Sequence, residues 1–272
     1  IWLDGYGSTT SGALVTKASS TNAIANLDLY QNHLIISHEG TSGTSTLLSD
    51  LGFYSGTNDS DIQFVATTTN GSSLTVAPYQ KLFIASGKTF VASGTITVSG
   101  NASSTSRTDG SLHLATSSTL IVTGTTTLAG SFTASTSATF THATSALAFN
   151  ATTTGKVINH NALATLGSTT FSGYGGGWTF ATSATTSTFV VSTSTAIVTL
   201  PGVFTITGDF NNQGTVIQTS GTTTFNSANT QSIGGTSAAS SSLNHVLMTG
   251  TGMKIPTFPL KANNFTIDTG AD

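Results

Sequence analysis

The side chains that could do chemistry in this sequence are few, and Asp59 and Asp61 come closest to a carboxylate pair. One residue separates them, so in an extended segment they share one face. Paired carboxylates serve as general acid and base in sugar-cleaving enzymes, and carboxylate and carbonyl oxygens bind Ca²⁺. Both acids adjoin the polar run GTNDS at residues 56–60. A solvated turn is therefore the favoured interpretation, and Ca²⁺ binding is the weaker alternative.

The histidines do not form a convincing metal site. His33 and His38 are the only close pair among six, and a metal would need further ligands such as Glu39. The chain has no cysteine, which excludes disulfides, thiolate ligands and a cysteine nucleophile. No G-x-S-x-G elbow occurs, so Ser-His-Asp catalysis has no support. The sequence predicts no catalytic residues, no resident metal and no cofactor.

Charge and hydropathy also narrow the partners. The seven basic residues are scattered and the pI is about 6.0, whereas nucleic-acid binding needs clustered Lys and Arg. No apolar run of eighteen residues is present, so we expect no transmembrane helix. The start IWLD lacks a Met and a basic segment. We therefore expect a mature, extracellular or cell-surface chain without its signal peptide.

Hydroxyl groups take the place of charge. The chain has 56 Thr and 38 Ser, about a third of its 272 residues, and only 6% of its residues are charged. Between Asp109 and Asp209, Lys156 is the only formally charged residue. Such a surface is hydrated by neutral hydrogen bonding and has little repulsion to keep copies apart. This composition favours a structural or fibrous protein over an enzyme.

The elements that carry these side chains are short strands. Residues 81–87, 88–94 and 95–100 are three successive strand-and-glycine units of about seven residues. Strands that turn a corner at one small residue are typical of a β-solenoid. The segment GSF at 130–132 reappears as GDF at 208–210, and GSTTF at 167–171 as GTTTF at 221–225. We predict an all-β, parallel β-solenoid with short strands, elongated into a rod.

Threonine also alternates with apolar residues, as in TIT at 95–97, TFT at 139–141 and TIT at 205–207. Such rows could stack into a flat ladder like that of solenoid ice-binding proteins. The drifting repeat length favours ordinary solvent-facing threonine instead. Six of the ten acids fall in the first eighty residues. Residues 1–80 are therefore predicted to be an acidic β region or solenoid cap. Residues 81–272 are predicted to form the repeat body, and the strand-like C-terminal segment suggests that the body continues beyond residue 272.

The later part of the chain resembles bacterial extracellular and cell-surface β-solenoid repeat proteins rich in Ser, Thr and Gly. The resemblance rests on GWTF at 177–180, PGVFTITGDFNNQGTV at 201–216, GTTTFN at 221–226, QSIGG at 231–235 and LNHVL at 243–247. It covers the last hundred residues well and residues 94–150 weakly. The resemblance implies an exported, non-enzymatic, wall-associated or filamentous role.

Three functions follow from this reading, in order of preference. The first is a structural subunit of a bacterial surface fibre, with copies of itself as partner, assembled end to end by strand pairing. The second is a cell-surface adhesin or carbohydrate-binding stalk, in which Tyr174 and Trp178 beside a glycine run contact a glycan. The third is a polysaccharide-degrading β-helix enzyme, which the sparse acids disfavour.

Overall fold

The structure is a computed structural model, and it confirms the predicted parallel β-solenoid. It describes residues 2–3, 12–17, 29–38, 45–51, 66–69, 72–100, 109–142, 146–160, 165–236, 240–268 and 270–271. The part of the chain that the structure describes is nearly all parallel β-strand with one short helix, in about nine turns. The chain divides into two compact units, residues 1–145 with 161–163, and residues 146–160 with 164–272.

Unit 1 contains three sheets. Its elements are β1 (Trp2–Leu3), β2 (Gly12–Lys17), β3 (His33–His38), β4 (Thr46–Leu47), α1 (Leu48–Leu51), β5 (Ala66–Thr69), β6 (Ser73–Val76), β7 (Lys81–Ile84), β8 (Thr89–Ala92), β9 (Thr95–Val98), β10 (Leu112–Leu114), β11 (Thr119–Val122), β12 (Thr126–Leu128), β13 (Phe132–Ala134) and β14 (Thr139–His142). Sheet 1A has the order β1-β2-β3-β7-β10-β13, sheet 1B β4-β8-β11-β14 and sheet 1C β5-β6-β9-β12. Among the described strands of unit 1, the pairs β1–β2 and β5–β6 are antiparallel and the other pairs are parallel.

Unit 2 also contains three sheets, all parallel. Its strands are β15 (Ala146–Phe149), β16 (Lys156–Asn159), β17 (Ser168–Phe171), β18 (Gly177–Phe180), β19 (Ala184–Thr186), β20 (Phe189–Val191), β21 (Ile197–Thr199), β22 (Val203–Ile206), β23 (Phe210–Asn212), β24 (Thr215–Ile217), β25 (Thr222–Asn226), β26 (Gln231–Gly235), β27 (Ser240–Thr249), β28 (Lys254–Pro256) and β29 (Ala262–Ile267). Sheet 2A has the order β16-β18-β21-β24-β27, sheet 2B β15-β17-β20-β23-β26-β28 and sheet 2C β19-β22-β25-β27-β29. The long strand β27 joins 2A through its first residues and 2C through its later ones.

One turn of unit 1 shows how the sequence sets the fold. The three seven-residue units of the sequence are β7, β8 and β9, one strand in each of the three sheets. The corner before β9 requires Gly94, because a Cβ there would lie 1.6 Å from the Ser72 carbonyl oxygen. That same oxygen accepts the Thr95 amide at 3.1 Å. The small residue therefore lets one turn sit directly on the next.

Side chains alternate between the core and the outer faces with a period of two. In β8 and β11 the inward residues Phe90, Ala92, Leu120 and Val122 are fully buried. The outward rows include aligned threonines: Thr89, Thr119 and Thr139 in sheet 1B, Thr75, Thr97 and Thr127 in sheet 1C, and Thr185, Thr205 and Thr224 in sheet 2C. We call these the threonine rows. The outward hydroxyl and inward apolar pattern expected from the sequence is confirmed.

Turn length varies, as the drifting repeats predict. Residues in register on neighbouring turns are 18 to 25 positions apart in unit 2, and 20 to 48 apart in unit 1. Some sequence repeats match this register, since Ile96 pairs with Thr126. Others do not, because GSTTF lies in β17 of sheet 2B and GTTTF in β25 of sheet 2C. In unit 1 the described strands before residue 80 pair with those after it, so no unit boundary falls near residue 80.

Candidate functional site

Three described acidic side chains, Asp50, Asp109 and Asp209, accept backbone amides at corners of the solenoid. Asp50 accepts the Leu47 amide at 2.8 Å, Asp109 accepts the Tyr79 amide at 2.6 Å and Asp209 accepts the Ser232 amide at 2.8 Å. These bonds tie neighbouring segments together. The candidate Ca²⁺ residues Asp59 and Asp61 lie outside the described residues, as does Glu39. Within the described ranges, no three His or acidic residues group as metal ligands would.

His33 and His38, at the two ends of β3, do not converge. The His33 Nδ1 lies 2.6 Å from the Gln31 carbonyl oxygen and donates to it. His38 is buried, and its Nε2 accepts the Thr89 amide at 2.8 Å. This hydrogen bond gives the His38 ring a structural role, because it holds the start of β8. The two histidines thus make separate contacts in unit 1.

The two aromatic residues predicted to contact glycans have opposite environments. Tyr174 is 72% exposed. Trp178 is 1% exposed and packs against Phe171, with ring centroids 5.1 Å apart. The prediction that Trp178 is a surface contact is therefore wrong. It lies at an inward position of β18, where the period of two places it in the core.

The charge-poor stretch is more neutral on its surface than its composition shows. Lys156, the single formal charge between Asp109 and Asp209, is 2% exposed, because it occupies an inward position in β16. The outer surface built from residues 110–208 therefore offers no exposed Lys, Arg, Asp or Glu side chain. Lys254 in β28 is also turned inward, and its Nζ donates to the Ser227 carbonyl at 3.3 Å.

An apolar row of sheet 2C becomes exposed at β29. Along this sheet Val246 and Met248 of β27 point into the core. Their register partners on β29 are Phe265 and Ile267, which are 53% and 61% exposed. Among the described residues, β29 pairs with β27 alone. We call β29 with these two side chains the open edge.

The neighbouring edge strand β28 differs from the open edge. Pro256 follows Ile255 at its end and stands in register with Ile233 of β26. Proline has no amide hydrogen, so it interrupts any further ladder on this strand. The described part of β29 contains no proline. Of these two edges, β29 is the one that can accept another strand.

A second unusual surface lies on the outer side of sheet 1A, and the sequence did not predict it. Tyr30, His33, Phe83 and His113 bring four rings together there, with Phe83 at the centre. Lys81, in register with His33, has its Nζ 6.0 Å from the Phe83 ring centroid. We call these five residues the ring face. Turns of 48 and 30 residues separate its strands, so spacing in the sequence gave no signal.

The electrostatics of the ring face follow from burial. Burial, together with the smaller effects of the charges of Lys81 and His33, lowers the pKa of His113 to about 4. Burial also lowers the pKa of His33, against the Gln31 hydrogen bond, which raises it. The pKa of Lys81 is lowered by burial as well. At neutral pH both imidazoles are uncharged, and the positive charge of this face resides on Lys81.

Comparison of the chain with protein-family models, with curated proteins and with solved structures finds no match. No helix among the described residues is long and apolar enough to span a membrane. Function is therefore argued from the geometry of these surfaces.

Proposed function

We propose that this chain is a non-catalytic structural subunit of an extracellular bacterial surface fibre. It self-associates through β-strand and hydroxyl-rich surfaces. The observation that carries the proposal is the open edge, where the core row of sheet 2C continues into exposed Phe265 and Ile267. An exposed edge strand with apolar side chains is a template for pairing with another chain.

A second copy of the same chain is the partner that fits best. The open edge needs an edge strand with apolar residues at alternate positions, and the strands of this fold share that pattern. Fully burying a Phe or Ile side chain contributes about 1.5–3 kcal/mol. Phe265 and Ile267 are each roughly half exposed, so covering both contributes about 2–3 kcal/mol per copy.

The sides of the solenoid favour close approach of copies. The outer surface from residues 110–208 carries no formal charge, so like-charge repulsion between neighbours is small. The threonine rows present hydroxyl groups that can both donate and accept. Lateral contact through them adds hydrogen bonds without a desolvated charge. The extracellular setting is supported by the resemblance of residues 177–247 to exported repeat proteins.

Sedimentation velocity over a range of concentrations tests this role for the open edge. The double variant F265S/I267S removes the exposed apolar row but little of the folded core. We expect its association to weaken by about 30-fold or more, from the lost 2–3 kcal/mol. The matched control is Val203→Ser, which removes an exposed apolar side chain from the outer face of β22 in the same sheet. It should associate like the parent chain.

The proposal fails for this edge if F265S/I267S associates with the same concentration dependence as the parent chain. It also fails if Val203→Ser weakens association equally, because the effect would then be general surface hydrophobicity. Circular dichroism of each variant checks that strand content is unchanged.

A carbohydrate-binding role is the second candidate, and the ring face favours it. That surface gathers four rings and a lysine, unlike the hydroxyl rows of sheet 1C. Carbohydrate binding at the ring face does not depend on self-association.

A further inference from the structure

The ring face brings aromatic rings together on the outer side of sheet 1A. The outward positions of sheet 1C carry hydroxyls, and those of sheet 1B carry one row of threonine and one apolar row, Leu47, Val91 and Ile121. In sheet 1A the outward row runs from buried Ile35 to Phe83, His113 and Thr133. Rings at solvent-facing positions expose apolar area that hydroxyls would not. Their placement on one patch indicates a contact surface.

The rings are held in a fixed arrangement. Phe83 packs edge-on to His113 at 5.0 Å and to His33 at 6.2 Å between centroids. Tyr30 lies 5.7 Å from His33 and 6.5 Å from Phe83, and it is 48% exposed. Edge-to-face pairs at these distances are mutually attractive. The residues come from rigid strands and the corner just before β3, so the platform exists without a ligand.

Polar groups surround the rings. The His113 Nε2 lies 3.1 Å from the Ser135 hydroxyl. The His33 Nδ1 donates to Gln31, which places the acceptor of its neutral ring on Nε2. Lys81 supplies one positive charge. Burial and cationic neighbours explain the pKa shifts of His33, Lys81 and His113, and no described carboxylate contributes to them. The charge of Lys81 is thus available to an anion.

We propose that the ring face binds a saccharide that carries a carboxylate, such as a uronic-acid oligomer. The C–H face of a sugar packs on the rings of Tyr30 and Phe83. Its hydroxyls hydrogen-bond with the imidazoles, and its carboxylate forms a charge-assisted hydrogen bond with Lys81.

A protein partner fits this surface less well. A stable protein interface covers about 800 Å² on each side and has an apolar centre. The ring face offers four rings, with the hydroxyls of Thr133 and Ser135 on one side and buried Ile35 on the other. A small surface with a few rings and adjacent hydroxyls suits a chain of sugar hydroxyls. The proposal is independent of self-association, because it concerns sheet 1A and not the open edge.

Isothermal titration of the full chain with oligogalacturonate, oligomannuronate and hyaluronan fragments tests the proposal. The fully methyl-esterified oligogalacturonate is the matched ligand, because it keeps the sugar backbone and removes the charge. We expect the acid form to bind about tenfold more tightly than the ester, which corresponds to one charge-assisted hydrogen bond.

Two variants separate the contributions. Lys81→Gln should remove the preference for the acid over the ester and leave ester binding unchanged. Tyr30→Ala should weaken both forms at least about fivefold, as expected for loss of a stacking ring. Met253→Ala, which removes an exposed apolar side chain from unit 2, is the control and should change neither.

Three results would overturn the proposal. The first is no binding of any acidic oligomer at millimolar concentration. The second is binding that Lys81→Gln and Tyr30→Ala leave unchanged. The third is selection of peptides from a displayed library by the same face with no saccharide bound. The association of the chain with itself, measured in parallel, is expected to be unaffected by Lys81→Gln, so failure here does not affect the fibre proposal.

Discussion

A pair of equivalent glycines gives a direct test of how the turns of unit 2 stack. Gly202 precedes β22 and Gly221 precedes β25, and the two strands pair in register from Val203 and Thr222. A Cβ on Gly221 would lie 1.7 Å from the Gly202 carbonyl oxygen, and Gly221 has a φ of +84°. A Cβ on Gly202 would meet nothing within 4 Å. The same substitution is therefore expected to have very different effects at the two positions.

The magnitude for Gly221→Ala combines two terms. An alanine in the left-handed region costs about 1–2 kcal/mol. The Gly202 oxygen that the new methyl would strike also accepts the Thr222 amide at 2.8 Å. Displacing it weakens that hydrogen bond by about 1 kcal/mol. We expect Gly221→Ala to lower the free energy of unfolding by about 2–3 kcal/mol. Gly202→Ala should be neutral or stabilise by up to about 1 kcal/mol, because alanine restricts the unfolded chain.

Urea unfolding followed by tryptophan fluorescence measures the difference. The chain has two tryptophans, so a Trp2→Phe background leaves Trp178, in the core of unit 2, as the reporter. We expect the two variants to differ by about 3 kcal/mol in the free energy of unfolding. If they agree within about 0.5 kcal/mol, near the limit of additivity for such measurements, the close stacking of β25 on β22 is refuted.

Two further predictions concern the core and the ring face. Phe171 is fully buried and stacks on Phe149 at 5.1 Å, so Phe171→Ala should cost about 3–5 kcal/mol of unfolding free energy. Tyr174→Ala, at an exposed site, should stay within about 0.5 kcal/mol, and equal effects in urea titrations would contradict the assigned core. His113 has a pKa lowered to about 4, whereas an unfolded histidine titrates near 6.5. The effect of His113 on the free energy of unfolding should therefore be constant above pH 6.5. Below that, it should lower the free energy of unfolding as the pH drops towards 4, because the unfolded chain takes up the proton first. Since His113 is only partly buried, we expect it to lower the free energy of unfolding by about 1 kcal/mol between pH 7 and pH 4.5. His113→Gln should remove this part of the difference between the free energies of unfolding measured at the two pH values. An unchanged slope would contradict the burial of this ring.

The strand order within a turn could be predicted because it depends on local signals. The units at 81–100 combine β-branched and aromatic residues with a small residue at each corner, and each became one strand of a sheet. The outward threonines followed from the period of two. These features need only neighbouring residues, so a single sequence is sufficient.

The register between turns could not be predicted, because turn length varies. The equivalence of 130–132 with 208–210 joined segments 78 residues apart, which is several turns in a solenoid whose turns differ in length. The glycine run beside Trp178 predicts a surface contact, but Trp178 occupies an inward position of its strand, and so does the charged residue Lys156. Their burial can be predicted only when it is known which residues of β16 and β18 point inward.

The candidate surfaces were hidden for the same reason. Tyr30 and His113 are 83 residues apart in sequence, and the long turns before β7 and β10 bring them to one face. Phe265 and Ile267 look like ordinary core residues of a strand in the sequence. Their exposure arises from the position of β29 at the edge of sheet 2C, which is a property of the whole stack.

The most direct test of the central claim is negative-stain electron microscopy of the purified chain over a range of concentration and salt. Self-association through apolar edges and uncharged sides predicts filaments or regular oligomers that grow with concentration and persist at high salt, since screening acts on charge. Persistent single particles at every concentration and salt level would contradict the proposed role as a fibre subunit.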